Sequence, residues 1–104
     1  DRFLYIADVG GEPVGFFDFE INENAGHFVV YVSPANRGKG VSRQILSEAF
    51  QLGEVIKVDV LDVNVEADNI RSIKLLTDVG FKREGVDEEG MLIYKKYKPF
   101  FSQD

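Results

Sequence analysis

Cysteine and tryptophan are missing from this 104-residue sequence, and histidine occurs once. Without cysteine there is no disulfide framework, no thiolate metal site and no cysteine nucleophile. One imidazole excludes a zinc centre built from several histidines. No metal is therefore expected, and the lack of cysteine agrees with a cytoplasmic location. No apolar run approaches the ~18 residues a membrane span requires, and no secretory leader is visible. No membrane partner is expected. Positive charge is in the minority: 12 Lys and Arg stand against 18 Asp and Glu, a formal net charge of -6. That balance argues against a general nucleic-acid binder, which needs Lys and Arg to neutralise phosphates. It favours amines and other cations, beside its plain effect on solubility.

What is present suits a folded chain. Hydrophobic content is 44%, with nine Phe, well clear of a disordered composition. The length fits one domain over 1–104, with one core and little surplus. No repeat, low-complexity tract or interdomain linker interrupts it.

Strand signals dominate the first third. FLYIADV (3–9), VGFFDFEI (14–21) and HFVVYV (27–32) are separated by the turns GGEP and NENAG, which predicts an antiparallel meander. Apolar residues at helical spacing then predict a helix over 39–52, ended by Gly53. The β-branched run VIKVDVLDV (55–63) reads as a buried strand. Reaching it through a helix implies a right-handed crossover and a parallel pair. Asp68 or Asn69 can cap a second helix whose apolar face is Ile70, Ile73, Leu76 and Val79, with Gly80 as its stop. FKREGV and MLIYKKY, split by DEEG, close the chain as a hairpin. The order is βββαβαββ: an α/β fold with a mixed, mostly antiparallel sheet.

Between the third strand and the first helix lies NRGKGVSRQIL (36–46). A nucleotide P-loop needs a Lys and a hydroxyl directly after its second Gly, and here Val41 follows Gly40. A dinucleotide fingerprint fails as well, because Arg43 holds the third glycine position. What remains is R-x-x-G-x-S, Arg37 to Ser42, ending a strand and opening a helix. Backbone N–H groups at such a turn face an anion, the helix dipole adds positive charge, and glycines allow close approach. Arg37, Lys39 and Arg43 add three cations. An ordinary capped helix with a solvated basic first turn explains the same residues.

The run VYVSPANRGKGVSRQIL resembles the signature of the GNAT acetyltransferase superfamily, V-x-P-x-x-R-G-x-G-x-[GA]. NIRSIKLLTDVGFKREG (69–85) is similar to that family's N-x-x-[SA]-x-x-L-[YL]-x-x-x-G-F-x-x-x-G. The resemblance implies acetyl-CoA as cosubstrate and a primary-amine acceptor: a protein N-terminus, an amino sugar or a small amine. It implies that Arg37, Gly38, Lys39, Gly40, Val41 and Ser42 wrap the pyrophosphate with main-chain amides. Ser42 stands where the family usually has Gly or Ala. Val30, Tyr31 and Val32 would pair with the pantetheine arm on a strand that splays from its parallel neighbour, opening a slot for the thioester. Asn69 would bond the same arm, with Ser72 beside it; a plain N-cap is an equally good account of Asn69.

The catalytic groups are less sharply drawn. Many members carry a general-acid Tyr where this chain has Leu76, and Leu there resembles the branch acetylating protein N-termini, ribosomal proteins included. Positions that supply a base in some members correspond to Gly26 and Phe28. Asp62 is the carboxylate candidate for the base, with Asn64 nearby. Tyr31 and Tyr94 are candidate acids. His27 should point to the other face of its strand as a surface residue. Asp87, Glu88 and Glu89 read as a solvated hairpin tip. Members also carry a strand and one or two helices before the strand at 3–9, and this sequence begins at Asp1 without them. A longer chain or a partner, a homodimer included, would then complete the acceptor pocket. The other function compatible with these residues is a non-catalytic acyl-CoA-binding module that regulates a partner protein.

Overall fold

A computed structural model describes residues 2–101. Its elements run β1 (Arg2–Val9), β2 (Glu12–Asn22), β3 (Ala25–Val32), a 3-10 turn (Pro34–Asn36), α1 (Val41–Ile56), β4 (Val60–Val65), α2 (Ile70–Asp78), β5 (Lys82–Val86) and β6 (Leu92–Tyr97). The six strands form one sheet in the order β1-β2-β3-β4-β6-β5. All neighbours are antiparallel except β3 and β4. The expected βββαβαββ order and parallel crossover are therefore observed.

Two boundaries differ from expectation. Helix α1 runs through Gly53 to Ile56, and β4 starts at Val60 rather than 55. Gly53 does not stop the helix. It is buried in it because a Cβ there would stand 3.0 Å from the Phe100 ring. The stop falls at Lys57, which adopts the left-handed conformation with φ 63°. The β-branched Val55 and Ile56 thus complete a helix against their local preference, Val55 exposed and Ile56 packed against the core. The chain then re-enters the sheet where the Asp59 N–H meets the Asn24 carbonyl at 2.8 Å.

Alternation sorts the sheet into two faces. Phe17 and Phe19 of β2, Phe28 and Val32 of β3, Leu61, Val63 and Val65 of β4, and Leu92 and Tyr94 of β6 join the helices in one core. Ile45, Leu46, Ala49 and Phe50 of α1 and Leu76 of α2 cover that face. Phe81 sits at its centre, edge-on to Phe28 and stacked on Phe50, each at 6.0 Å between ring centroids. Lys96 is buried on the same face, where its Nζ donates to the Val79 carbonyl at 2.6 Å, at the end of α2. The opposite face is open, and carries Leu4, Ile6, Phe16, Val29 and Tyr31 beside Asp18, Glu20, His27, Asp62 and Asn64. Among the described residues no helix is long and apolar enough to cross a membrane.

Candidate functional site

The parallel pair β3/β4 is joined by only three residue pairs: Ala25–Val60, Gly26–Leu61 and His27–Asp62. Beyond them β3 continues to Val32 along β2, and β4 to Val65 along β6. The two strands diverge, and a wedge opens through the sheet.

Both helix N-termini stand at this wedge. Gly38 and Gly40 adopt φ of 79° and 82°, backbone that residues with a Cβ seldom enter. Gly40 caps α1 without a side-chain bond, and the first bond of the helix runs from Gln44 N–H to the Gly40 carbonyl at 3.2 Å. Helical geometry therefore leaves the N–H groups of Val41, Ser42 and Arg43 without an intrahelical acceptor. Across the wedge, Asn69 Oδ1 caps α2 by accepting from the Ser72 N–H at 3.2 Å.

A cleft of about 700 Å³ lies between these ends. Its inner part is lined by Phe28, Leu46, Val63, Val65 and Leu76, its mouth by the Arg37–Arg43 loop, Asn69, Arg71, Ser72 and Lys74. Of the residues expected there, Val30, Tyr31, Val32, Arg37, Gly38, Gly40, Val41, Ser42, Asn69 and Ser72 do border it. Lys39 belongs to the loop but is not among the lining residues.

The loop cations are not equivalent. Arg37 folds back, donating from Nε to the Val32 carbonyl at 3.1 Å with its guanidinium 6.0 Å from the Tyr31 ring centre. It holds the end of β3 to the loop. Arg43 lies 3.6 Å from Asp78, so an ion pair joins α1 to α2. Arg71 was not among the expected residues, yet its guanidinium reaches to 4.0 Å from the Cβ position of Gly38. Its place beside Ser72 in the first turn of a capped helix was the available signal, since both side chains border the cleft.

Asp62 and Tyr31 are placed away from the loop's N–H groups. Tyr31 borders the cleft, but its ring stacks on Phe16 on the open face, 5.6 Å between centroids. Asp62 accepts a hydrogen bond from His27 Nδ1 across the last paired step of β3 and β4. His27 does point to the open face, as alternation requires, but as part of a half-buried pair and not as a free surface residue. The hydrogen bond to Asp62 raises its pKa above the ordinary imidazole value, against a smaller lowering by burial. Asn64 donates to Asp87 at 2.7 Å, and Asp87 also accepts from the Glu89 and Met91 N–H groups. These bonds, the Met91 N–H first, hold the Asp87 carboxyl below its ordinary range. Asp87 is therefore the organiser of the β5–β6 turn. Tyr94 is buried in the core. Gly26 has no side chain, and the space in front of it is filled by Phe19.

Residues 1–81 match the acetyltransferase (GNAT) family, and the chain belongs to that family. It is 28% identical over 85 residues to a mycothiol acetyltransferase of Kineococcus radiotolerans, covering 81% of this chain and 28% of that protein. The PaiA N-acetyltransferase of Thermoplasma acidophilum in complex with coenzyme A superposes with a TM-score of 0.86 at 21% identity, over 93% of this chain and 61% of that one. A ribosomal-protein-alanine N-acetyltransferase of Brucella melitensis superposes at 0.81 with 27% identity, over 88% and 66%. The chain thus spans about a quarter of the first relative's length and under two thirds of the first structure's.

Proposed function

We propose that this chain is a single acyl-CoA-binding domain that moves the acetyl group of acetyl-CoA to a primary amine. The observation that carries the reading is the wedge between β3 and β4, with the free N–H groups of α1 at its mouth. The chemistry of the donor set fits a pyrophosphate, because amides, a helix N-terminus and the Arg71 guanidinium converge without a carboxylate of the loop. Gly38, Lys39, Gly40, Val41 and Ser42 would hold the pyrophosphate, with Arg37 bracing the loop from behind. Val30 and the Val32 N–H leave backbone groups on the side of β3 away from β2 for an amide-bearing arm, whereas the Tyr31 backbone faces β2 and the Val32 carbonyl already accepts from Arg37. Asn69 keeps its amide nitrogen for the same arm while its oxygen caps α2, and Ser72 lies beside it.

Bound there, acetyl-CoA would supply an activated acyl group; the chain's share is to position it and to exclude water with the apolar inner end. The acceptor class remains an amine: a protein N-terminus, an amino sugar or a small amine. Leu76 and the likeness to a ribosomal-protein-alanine enzyme favour a peptide N-terminus. One observation favours the second reading, a non-catalytic acyl-CoA-binding module: among the described residues, those that line the cleft and are buried, Phe28, Val32, Leu46, Val63, Val65 and Leu76, carry no titratable group. No metal is needed for either reading.

The test is CoA binding by calorimetry, together with thiol release from acetyl-CoA over a panel of amines. Tight binding without release on any amine rejects the transferase, and no binding rejects both readings. Gly40→Glu should abolish CoA binding, since it places a strained side chain and a negative charge at the helix N-terminus. Unchanged affinity in that variant rejects the loop assignment.

A further inference from the structure

Among the described residues, the buried lining of the cleft carries no group that could take a proton. That lining, Phe28, Val32, Leu46, Val63, Val65 and Leu76, is all apolar, and the titratable residues of the whole lining are Tyr31, whose ring stacks on Phe16 on the open face, and Arg37, Arg43, Arg71, Lys74 and Asp78. Among these Asp78 is occupied by Arg43 and Lys74, at 3.6 and 3.4 Å. An ammonium acceptor must lose a proton before its nitrogen can attack a carbonyl. That proton has to leave by some other route.

The opposite side of the sheet offers one. His27 directly precedes Phe28, and Asp62 directly precedes Val63, on the two strands that form the wedge. Consecutive strand residues point to opposite faces. The His27–Asp62 pair therefore lies immediately behind the inner end of the cleft, on the last paired step before the strands separate. Nδ1 of His27 is committed to Asp62, which leaves Nε2 as the ring's free nitrogen. A second, smaller hollow of about 540 Å³ opens over this pair on the outer face, lined by Glu20, Asn22, Glu23, Asn24, Ala25, His27 and Asp62.

We infer that the acceptor approaches from this outer hollow as a cation, and that His27, oriented by Asp62, takes its proton at the apex of the wedge. The inference rests on the acetyl-transfer reading above. Asp62 is a positioning residue: it fixes the tautomer that leaves Nε2 with a lone pair and stabilises the imidazolium that forms. In the balanced step, the ammonium gives one proton to Nε2. The resulting amine nitrogen forms its bond to the acetyl carbon while the carbon–sulfur bond breaks. A second proton from that nitrogen goes to the departing sulfur, so coenzyme A leaves as a thiol. The proton on His27 is returned to solvent.

The charged groups facing His27 are Glu20 and Asp18 on β2, Glu23 in the β2–β3 turn and Asp62 on β4, with Lys95 beyond Asp62 on β6. Asp18 is itself paired with Arg2 of β1. The balance is negative, which attracts an ammonium and agrees with the raised pKa of His27.

The single histidine makes a direct readout available, because its ring gives one set of NMR resonances. Wild type, His27→Gln and Asp62→Asn are compared with spermidine, glucosamine and an alanyl-initiated peptide as acceptor probes. Spermidine should perturb the His27 ring resonances and lower the ring's apparent pKa, without acetyl-CoA present. In wild type kcat/KM should fall on the acid side with the pKa that NMR reports for His27. His27→Gln should lose about 10²-fold or more in kcat and lose that acid limb, with CoA affinity unchanged. Asp62→Asn should move the NMR pKa and the acid limb down together. If wild type transfers acetyl groups and His27→Gln keeps both rate and pH profile, the base assignment is overturned while the transfer reading survives. Ring resonances indifferent to spermidine overturn the route of entry. CoA binding without thiol release from any probe in wild type overturns both.

Discussion

Replacing Gly26 by Ala adds one methyl at the apex of the wedge, and the cost of that methyl can be worked from the surroundings. Its Cβ would stand 2.4 Å from Cζ and 2.9 Å from Cε1 of Phe19, and 3.1 Å from Cδ2 of Leu61. Ordinary carbon–carbon contact is about 3.5 Å or more, so the Phe19 ring must retreat by about 1 Å. It has nowhere to go: Phe19 and Leu61 are fully buried, and the ring sits edge-on to Phe17 at 6.2 Å. Removing glycine from a strand would by itself stabilise by about 0.5–1 kcal/mol. Overpacking of a closed core costs ~1–3 kcal/mol, and contacts this short belong at its upper end. The overpacking wins. Net destabilisation of ~2 kcal/mol corresponds to a fall in Tm of roughly 8–16 °C for a domain of this size, measured by circular dichroism. Phe19→Leu in the same chain should relieve the clash, giving a favourable coupling of about 1–2 kcal/mol in the double-mutant cycle. A Gly26→Ala protein melting within about 2 °C of the parent would refute the account.

Other substitutions separate structural from functional roles. Asn69→Ala should lose about 1 kcal/mol in urea unfolding through the missing cap of α2. Asn69→Asp should keep that stability while CoA affinity falls, because it removes the amide donor and adds a negative charge. Lys96→Met leaves the Val79 carbonyl unpaired at the end of α2 and should destabilise by about 1–2 kcal/mol; a neutral or stabilising result would show that desolvation of the ammonium, which pushes its pKa down, dominates the contact. For the His27–Asp62 pair the sign follows from a raised folded pKa. Its stabilisation is fully present below the unfolded imidazole value of about 6.5 and is lost as pH rises through the folded value. Asp62→Asn should flatten that part of the stability–pH curve, and an unchanged curve would deny the pairing.

Much of the architecture follows from periodicity alone. The meander, the crossover and the closing hairpin are each written in short-range patterns: alternation of apolar residues, Gly-bearing turns, and a cap at Asn69. The anion loop is equally local, because R-x-x-G-x-S places glycines, cations and a helix N-terminus within a few residues. Gly53 sits inside the first helix because the ring of Phe100, far away in sequence, leaves no room for a side chain there, and the helix runs on to its stop at Lys57. Arg71 joins the loop only because two helices that begin at different strands meet at one wedge. The His27–Asp62 pair is the sharpest case: 35 positions separate the two residues. Alternation could say that His27 points outward, but not what it meets, since the parallel register of β3 on β4 is settled by core packing on the other face. Local sequence thus determined the elements and the loop that faces the anion, while cross-strand register and long-range packing decided which side chains stand behind it.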